Sequence, residues 1–150
     1  ALGADIVDAA VRINAPVHVD KTYACVEGPR LGTRAESFFL RDSAQCDLVG
    51  MTNVPEVFLA REAQLAYCTL CLVTDYDCWM DDPAEHVSVD KFFATYQGTL
   101  TKAQAVLAEL LQQPLRPTPD EVRQSLEGAV LTPDTALTDA QRSWLDMLRA

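Results

Sequence analysis

Two carboxylates stand two residues apart in the segment LVTDYDCW, which runs from Leu72 to Trp79. Because side chains alternate along a strand, Asp75 and Asp77 are expected to point to the same side where a strand ends. Two acids this close repel when both are ionised, so one of them is expected to be pushed toward its protonated form. One acid can then donate a hydrogen bond while the other accepts one, which is the pattern that holds the edge of an aminopurine. The alternative is a pair of solvated loop acids.

A second polar turn, GMTNVPE, occupies residues 50–56 and leads from an apolar segment toward a helix. Pro55 suits the first position of that helix. The hydroxyl of Thr52 and the free backbone N–H groups of such a turn suit an anion. Most strand-to-helix turns bind nothing, so this turn alone is weak evidence for a site.

A third polar turn, GPRLGTRAES, occupies residues 28–37 and contributes two cations, Arg30 and Arg34. Each could be a charge-assisted donor to a ligand. Structural pairing with a nearby acid is favoured for both, and the candidate acids are Glu27, Glu36 and Asp42.

No metal site is expected. Cys68 and Cys71 form a CxxC, but an offset of three points them to opposite faces of a strand, so a shared zinc ion is improbable. His18 and His86 have no partner at ligand spacing, although His86 is close to the acidic segment. Five cysteines scattered through apolar segments are typical of reduced, buried thiols.

Composition limits the classes of partner. A chain of 150 residues that is 49% hydrophobic predicts one globular domain with its own core. Twelve basic and 22 acidic residues, a net charge of −10, argue against a nucleic-acid partner. No apolar run is long enough to cross a membrane, and the first ten residues do not resemble a signal peptide. We therefore expect a soluble, cytoplasmic protein.

The periodicity of apolar residues predicts an α/β fold. Helices and strands alternate, which favours a parallel sheet with right-handed crossovers and ligands at the carboxyl ends of its strands. A Pro-rich connector and two short helices follow, with capping boxes at Thr118/Glu121 and Thr138/Gln141. The expected strands are residues 17–28, 46–51 and 65–73, and the expected helices are a first segment ending near Asn14, residues 33–45, 56–64 and a long helix over 89–111.

The three turns, taken with VSVDKFF at residues 87–93, closely resemble in order and spacing the C-terminal half of the trimeric purine nucleoside phosphorylase family, most specifically its methylthioadenosine phosphorylases. The resemblance runs from about Val17 to Leu111. It implies a phosphorylase/hydrolase-like sheet sandwiched by helices, present here as its C-terminal half. Residues 1–111 would form that half, and residues 112–150 a C-terminal helical extension.

This resemblance implies a glycosyltransferase of purine and methionine salvage. Such enzymes cleave 5'-methylthioadenosine with inorganic phosphate, which is a co-substrate, and use no cofactor. Asp77 would protonate or hydrogen-bond N7 of the leaving adenine, and Asp75 would accept from its 6-amino group. The other implied contacts are Met51 under the ribose, Thr74, Leu31 and Gly32 at the base, Thr52 on phosphate, and Val89, Phe92 and Phe93 around the 5'-methylthio group.

Some features depart from the family pattern. The family usually has Phe and Ser where this chain has Leu31 and Gly32, and a small aliphatic residue where it has Phe92. The chain also lacks the N-terminal half, with its Gly-rich phosphate loop. We therefore expect a companion chain that carries that half, and a homotrimer of the assembled unit. The alternatives are a non-catalytic module that binds adenine nucleosides, a phosphorylase for a related purine nucleoside, and a hydrolytic nucleosidase.

Overall fold

The computed structural model describes residues 1–82 and 88–149. A π-helical turn, Phe39–Ser43, follows directly on the helix Arg34–Phe38, and a 3-10 turn, Asp134–Ala136, precedes the last helix. The helices and strands are α1 Leu2–Arg12, β1 Tyr23–Cys25, α2 Arg34–Phe38, β2 Leu48–Gly50, α3 Glu56–Glu62, α4 Val89–Leu110, α5 Asp120–Arg123 and α6 Asp139–Arg149.

The sheet of the described residues has two parallel strands. Tyr23 pairs with Leu48 and Cys25 with Gly50. A helix separates β1 from β2 along the chain, so the expected α/β fold with a parallel crossover is confirmed. Both strands are shorter than expected: of the predicted strands over 17–28 and 46–51, only Tyr23–Cys25 and Leu48–Gly50 pair.

The predicted third strand, over residues 65–73, is wrong for the part of the chain that the structure describes. No backbone hydrogen bond links residues 66–73 to another described residue. A strand forms only when its backbone hydrogen-bonds to a neighbouring strand. An apolar pattern within one segment does not provide that neighbour. The segment still runs from the end of α3 to the turn that carries the two acids.

The core lies between α1 and α4. Ala9 and Ala10 are fully buried, and their small side chains let the two helices approach closely. Ile6 of α1 packs with Val106 and Leu110 of α4 to complete the cluster. At the surface, Nε of Arg12 donates to Glu109 at 2.7 Å and fastens the same two helices together.

The C-terminal segment packs back on the rest of the chain. Arg116 forms an ion pair with Asp5 at 2.6 Å and a second one with Asp8, which ties the Pro-rich connector to α1. The Ser125 hydroxyl donates to the carbonyl of Arg61 at 2.8 Å. The Gln64 amide donates to the carbonyl of Leu148 at 2.7 Å, so this segment also rests on the end of α3.

One of the two predicted capping boxes forms. The Thr138 hydroxyl accepts from the backbone N–H of Gln141 at 3.3 Å, and the Gln141 side chain accepts from the backbone N–H of Thr138 at 2.9 Å. The predicted box at Thr118 and Glu121 is wrong, because α5 begins only at Asp120 with Pro119 before it. None of the helices among the described residues is long and apolar enough to cross a membrane.

Candidate functional site

The turns that follow β1 and β2 meet at one edge of the sheet. Parallel strands place their carboxyl ends at the same edge. There Met51 packs directly on Gly28: a Cβ atom added to Gly28 would lie 2.6 Å from the Met51 sulfur. A glycine at this position therefore lets the second turn approach the first.

The acidic turn joins the turn that follows β1. The Cys78 thiol lies 3.9 Å from the carbonyl oxygen of Gly32, within reach of a weak hydrogen bond. Arg34, at the start of α2, forms a two-pronged ion pair with Asp81, in which Nη2 lies 2.7 Å from Oδ2. Arg34 and Asp81 are 47 residues apart in the sequence, so their ion pair is a tertiary contact.

An arginine between two aromatic rings supports the acidic turn. The guanidinium carbon of Arg41 lies 4.9 Å from the ring centre of Phe38 and 4.8 Å from that of Trp79. We call these three residues the Arg41 clamp. Tyr76 meets Trp79 edge to face at 6.1 Å, so the clamp extends to the residue between the two acids.

Both acids are held by groups adjacent in sequence. The Thr74 hydroxyl donates to Oδ2 of Asp75 at 2.7 Å. The backbone N–H of Cys78 donates to Oδ1 of Asp77 at 2.8 Å. Asp75 is exposed, whereas Asp77 is half-buried. Each carboxylate thus has one oxygen oriented by its neighbour, which restricts its rotation.

A groove of about 1390 Å³ begins beside Asp75. Its walls are residues 15–21 and 67–76, and its lining includes parts of α1 and α4. Thr74, Asp75 and Phe92 all line it, so the structure brings these three predicted site residues together. The Phe92 ring also stacks on Tyr96, with ring centres 6.2 Å apart and planes within 2°.

The other predicted site residues lie outside the lining of this groove. Gly32 contacts the turn of Asp77 through Cys78, as described above. Leu31 and Val89 are largely exposed, at 81% and 71%. Gly32, Met51, Thr52 and Phe93 are also exposed.

Structural pairing of the two arginines is confirmed. Arg30 forms a two-pronged ion pair with Glu36, with N–O distances of 2.5 and 2.8 Å. Hydrogen bonds from Arg30 and from Thr33 lower the pKa of Glu36 to about 2. Thr33 and Glu36 also form a capping box at the start of α2. Arg34 pairs with Asp81, an acid that the sequence did not single out.

One further polar contact holds the middle turn in place. The Asn53 amide donates to the Thr69 hydroxyl at 2.9 Å, which links this turn to the segment that ends at the two acids. Sequence reasoning missed this contact, the Arg41 clamp and the Arg34–Asp81 pair. The Asn53–Thr69, Arg41–Trp79 and Arg34–Asp81 contacts join residues distant in the chain, and no local pattern signals them.

The thiol next to Asp77 is perturbed by its surroundings. Burial, and then the negative charge of Asp77, raise the pKa of Cys78. Burial and the neighbouring Cys68 raise the pKa of Cys71. Within residues 1–82 and 88–149, no three His, Cys, Asp or Glu side chains are grouped as a metal site requires. His86 lies outside the described residues.

The sequence matches a known family. A family model described as "Phosphorylase superfamily" matches residues 1–113. The S-methyl-5'-thioadenosine phosphorylase of Thermosynechococcus vestitus is 38% identical over 154 aligned positions, which cover 100% of this chain and 53% of the relative. The enzyme of the same name from Hyperthermus butylicus is 43% identical over 85% of this chain and 46% of its own length.

Solved structures agree with these matches. A methylthioadenosine phosphorylase from an antarctic soil metagenomic library superposes with a TM-score of 0.81 at 35% identity, over 97% of this chain and 51% of that one. The methylthioadenosine phosphorylase of Schistosoma mansoni, solved with adenine, gives a TM-score of 0.64 at 27% identity, over 97% of this chain and 49% of that one. The chain spans about half the length of the curated relatives it matches.

Proposed function

The chain belongs to the phosphorylase superfamily, and we propose that it supplies one half of an enzyme that cleaves 5'-methylthioadenosine with phosphate. The products are adenine and 5-methylthioribose 1-phosphate. In this proposal a companion chain supplies the other half of the fold; the chain spans about half the length of the relatives it matches. The observation that carries this proposal is the acidic turn, in which Cys78, next to Asp77, contacts the carbonyl of Gly32, in a chain 38% and 43% identical to two such enzymes.

The acidic turn suits departure of a purine. Cleavage of the glycosidic bond passes through a transition state with positive charge on the sugar, so the enzyme must stabilise the leaving base and place phosphate at C1'. Asp77 donates to N7 of the leaving adenine, and Asp75 accepts from its 6-amino group. The hydrogen bond from Thr74 fixes the rotation of the Asp75 carboxylate before the base arrives.

The remaining roles are assigned from the family resemblance. Inorganic phosphate is the co-substrate, held by Thr52, and no cofactor takes part. Phe92 lines the groove together with Asp75, so an apolar surface lies next to the base site. The other contacts are Met51 under the ribose, Leu31, Gly32 and Thr74 at the base, and Val89 and Phe93 with Phe92 around the 5'-methylthio group.

The assembled unit is a homotrimer in the cytoplasm, with a role in purine and methionine salvage. Free cysteines at all five positions are consistent with a reducing compartment. In α6, Trp144 and Met147 are 50% and 75% exposed and offer an apolar contact to a neighbour. Leu145 is buried within its own chain and is therefore not available for that contact.

An adenine-release assay tests the proposal. The chain is co-expressed with the half of the Thermosynechococcus vestitus relative that it does not match, and adenine release from 5'-methylthioadenosine is measured with and without phosphate. Asp77→Asn is expected to lower turnover about 100-fold or more, because a positioned proton donor is lost. Asp134→Asn, at an exposed acid in the C-terminal segment, is the matched control and should leave turnover unchanged. Equal losses in both variants would reject Asp77 as the catalytic acid.

A second candidate is a non-catalytic module that binds adenine nucleosides. Saturable binding of adenine to the chain, with no phosphate-dependent release in any assembly, would support this candidate over the first. A phosphorylase for a related purine nucleoside would release its base from another nucleoside faster than from 5'-methylthioadenosine.

A further inference from the structure

Helix α3 directly follows the turn over residues 50–56 and is hydrogen-bonded to it. The backbone N–H of Val57, in the first turn of the helix, donates to the carbonyl of Asn53 at 2.8 Å. The end of the turn and the start of the helix therefore form one unit. A shift of α3 is passed in this way to Met51 and Thr52 at the start of the turn.

Helix α3 has little packing of its own to fix its position. The structure describes all of its residues, and none of them is buried. Phe58 and Leu59 are 64% and 57% exposed. A helix of seven residues is too short to be stable alone, and most helical stability in proteins comes from packing of an apolar face. Contacts with other parts of the chain must therefore hold this helix.

The C-terminal segment supplies contacts of this kind at the end of α3. The Gln64 amide donates to the carbonyl of Leu148 at 2.7 Å, and its oxygen accepts from the backbone N–H of Leu126 at 3.4 Å. The Ser125 hydroxyl donates to the carbonyl of Arg61 at 2.8 Å. Gln64 thus joins the end of α6 and the turn after α5 to the end of α3.

The backbone of Gln64 is left-handed, with a φ of 57°. Residues other than glycine seldom adopt this conformation, because their Cβ atom crowds the backbone. A glycine would avoid this cost, but it could make neither side-chain hydrogen bond. The side chain is half-buried, and the carbonyl that it reaches lies in the last turn of α6, where the helix itself provides no donor. The contacts of the side chain therefore offset an unfavourable backbone.

The C-terminal segment is also anchored to the core. Arg116 pairs with Asp5 at 2.6 Å and with Asp8, and both acids lie on α1, which packs on α4. Leu145 of α6 is buried. The segment thus runs from the core to the end of α3, and it joins a weakly packed helix to the rigid part of the chain.

We propose that Gln64 is a positioning residue that fixes the turn over residues 50–56 by tying α3 to the C-terminal segment. This inference rests on the proposed function, in which Thr52 holds phosphate and Met51 lies under the ribose. Gln64 has no substrate contact in that scheme and acts through α3. Loss of the tie lets the turn shift, so phosphate is bound less well. The acidic turn, which is held by the Arg41 clamp, still reads the base.

The same substitution at two glutamines tests this role. Gln64→Gly removes both side-chain hydrogen bonds and relieves the left-handed backbone. Gln45→Gly is the matched control, since Gln45 is exposed and has a φ of 53°. The backbone is relieved in both variants, so the difference between them isolates the contacts of the Gln64 side chain. Ser125→Ala, which removes the neighbouring hydrogen bond, is expected to act in the same direction as Gln64→Gly.

Amide hydrogen exchange of the full-length chain measures the tie itself. Exchange at residues 50–62 is expected to be about fivefold or more faster in Gln64→Gly than in the unaltered chain, because a helix with fewer tertiary contacts opens more often. Gln45→Gly should leave this exchange unchanged. Helix α4, which packs in the core, serves as the internal reference.

Steady-state kinetics measure the positioning. The chain is assembled with the unmatched half of the Thermosynechococcus vestitus relative, and phosphate is varied. In Gln64→Gly the KM for phosphate is expected to rise about tenfold, since a small displacement of a binding group has a large effect. The ratio of rates for 5'-methylthioadenosine and 5'-methylthioinosine should stay unchanged. A general loss of folded enzyme would instead lower kcat and leave KM unchanged.

The outcomes separate this inference from the proposed function. Faster exchange at residues 50–62 together with a raised KM for phosphate supports it. Unchanged exchange in Gln64→Gly overturns it, and so does faster exchange with an unaltered KM for phosphate. If the unaltered assembly releases no adenine with phosphate, the proposed function is rejected. Exchange alone then decides whether Gln64 holds α3 and the turn.

Discussion

The guanidinium carbon of Arg41 lies 4.8 Å from the centre of the Trp79 ring. The same carbon lies 4.9 Å from the centre of the Phe38 ring. The arrangement joins the π-helical turn after α2 to the turn that carries Asp75 and Asp77. Because Tyr76 packs edge to face on Trp79, displacement of the indole would also move the residue between the two acids.

Removal of the cation should loosen the acidic turn. Arg41→Leu is expected to lower the free energy of unfolding by about 1 kcal/mol, the scale of exposed cation–π contacts. In a Trp144→Phe background, the fluorescence of Trp79 should also become more accessible to an aqueous quencher. Urea titration and quenching measure the two effects. Arg123→Leu, on the exposed face of α5, is the control, and an equal loss of stability there would contradict the role given to the clamp.

Replacement of Asp75, the acid proposed to accept from the amino group of adenine, should change base preference. Asp75→Asn puts a donor where adenine also donates, so kcat/KM for 5'-methylthioadenosine is expected to fall roughly 10- to 100-fold in the assembled enzyme. The amide can instead donate to a 6-oxo group, so the relative rate for 5'-methylthioinosine should rise. Steady-state kinetics with both nucleosides give the ratio. A variant with an unchanged ratio would show that Asp75 does not read the base.

Glu36 should stabilise the folded chain at neutral pH and should lose this effect in acid. Its pKa is lowered from 4.5 to about 2 in the folded chain, first by the hydrogen bond from Arg30. The stabilisation is therefore fully present above the unfolded value of 4.5 and is lost as the pH falls toward 2. Glu36→Gln should be less stable at pH 7 and should show a weaker pH dependence over that interval.

Urea midpoints at pH 7, 4 and 2.5 measure the Glu36 effect. Glu62→Gln, at an exposed acid of α3, is the control and should keep the pH dependence of the unaltered chain. Parallel curves for Glu36→Gln and the unaltered chain would contradict a stabilising Arg30–Glu36 pair.

Two glycines should respond to alanine in opposite directions. A Cβ atom at Gly50 would lie 1.9 Å from the Tyr23 hydroxyl, so Gly50→Ala must displace a ring that packs across the sheet. We expect a loss of about 1–3 kcal/mol. Gly98, on α4, has nothing within 4 Å of an added Cβ, and Gly98→Ala should stabilise by about 0.5–1 kcal/mol. Urea unfolding compares the two, and stabilisation by Gly50→Ala would contradict the packing of Tyr23.

Local patterns predicted the helices well. The apolar spacing that indicated a long helix over 89–111 corresponds to α4, Val89–Leu110, because helical periodicity depends only on near neighbours. The capping box at Thr138 formed for the same reason. Strands were predicted less well. The segment over 65–73 has the composition of a strand, but its hydrogen bonds depend on residues distant in sequence.

The candidate site shows the same difference between features set by near neighbours and contacts between distant residues. Thr74, Asp75 and Phe92 line one groove, whereas the other predicted site residues lie outside its lining. The pairing of Arg34 with Asp81 could not be read from the sequence, since Arg34 had nearer acids on its own helix. Such contacts are set by how the turns meet, which only the folded chain defines.

The most direct test of the proposed phosphorolysis traces labelled phosphate into the sugar product. The chain, assembled with the unmatched half of a relative, is incubated with 5'-methylthioadenosine and radiolabelled inorganic phosphate, and the sugar product is isolated. Phosphorolysis should place one labelled phosphate on the sugar for each adenine released. Unlabelled sugar released together with adenine, or bound nucleoside that is never cleaved, would contradict it.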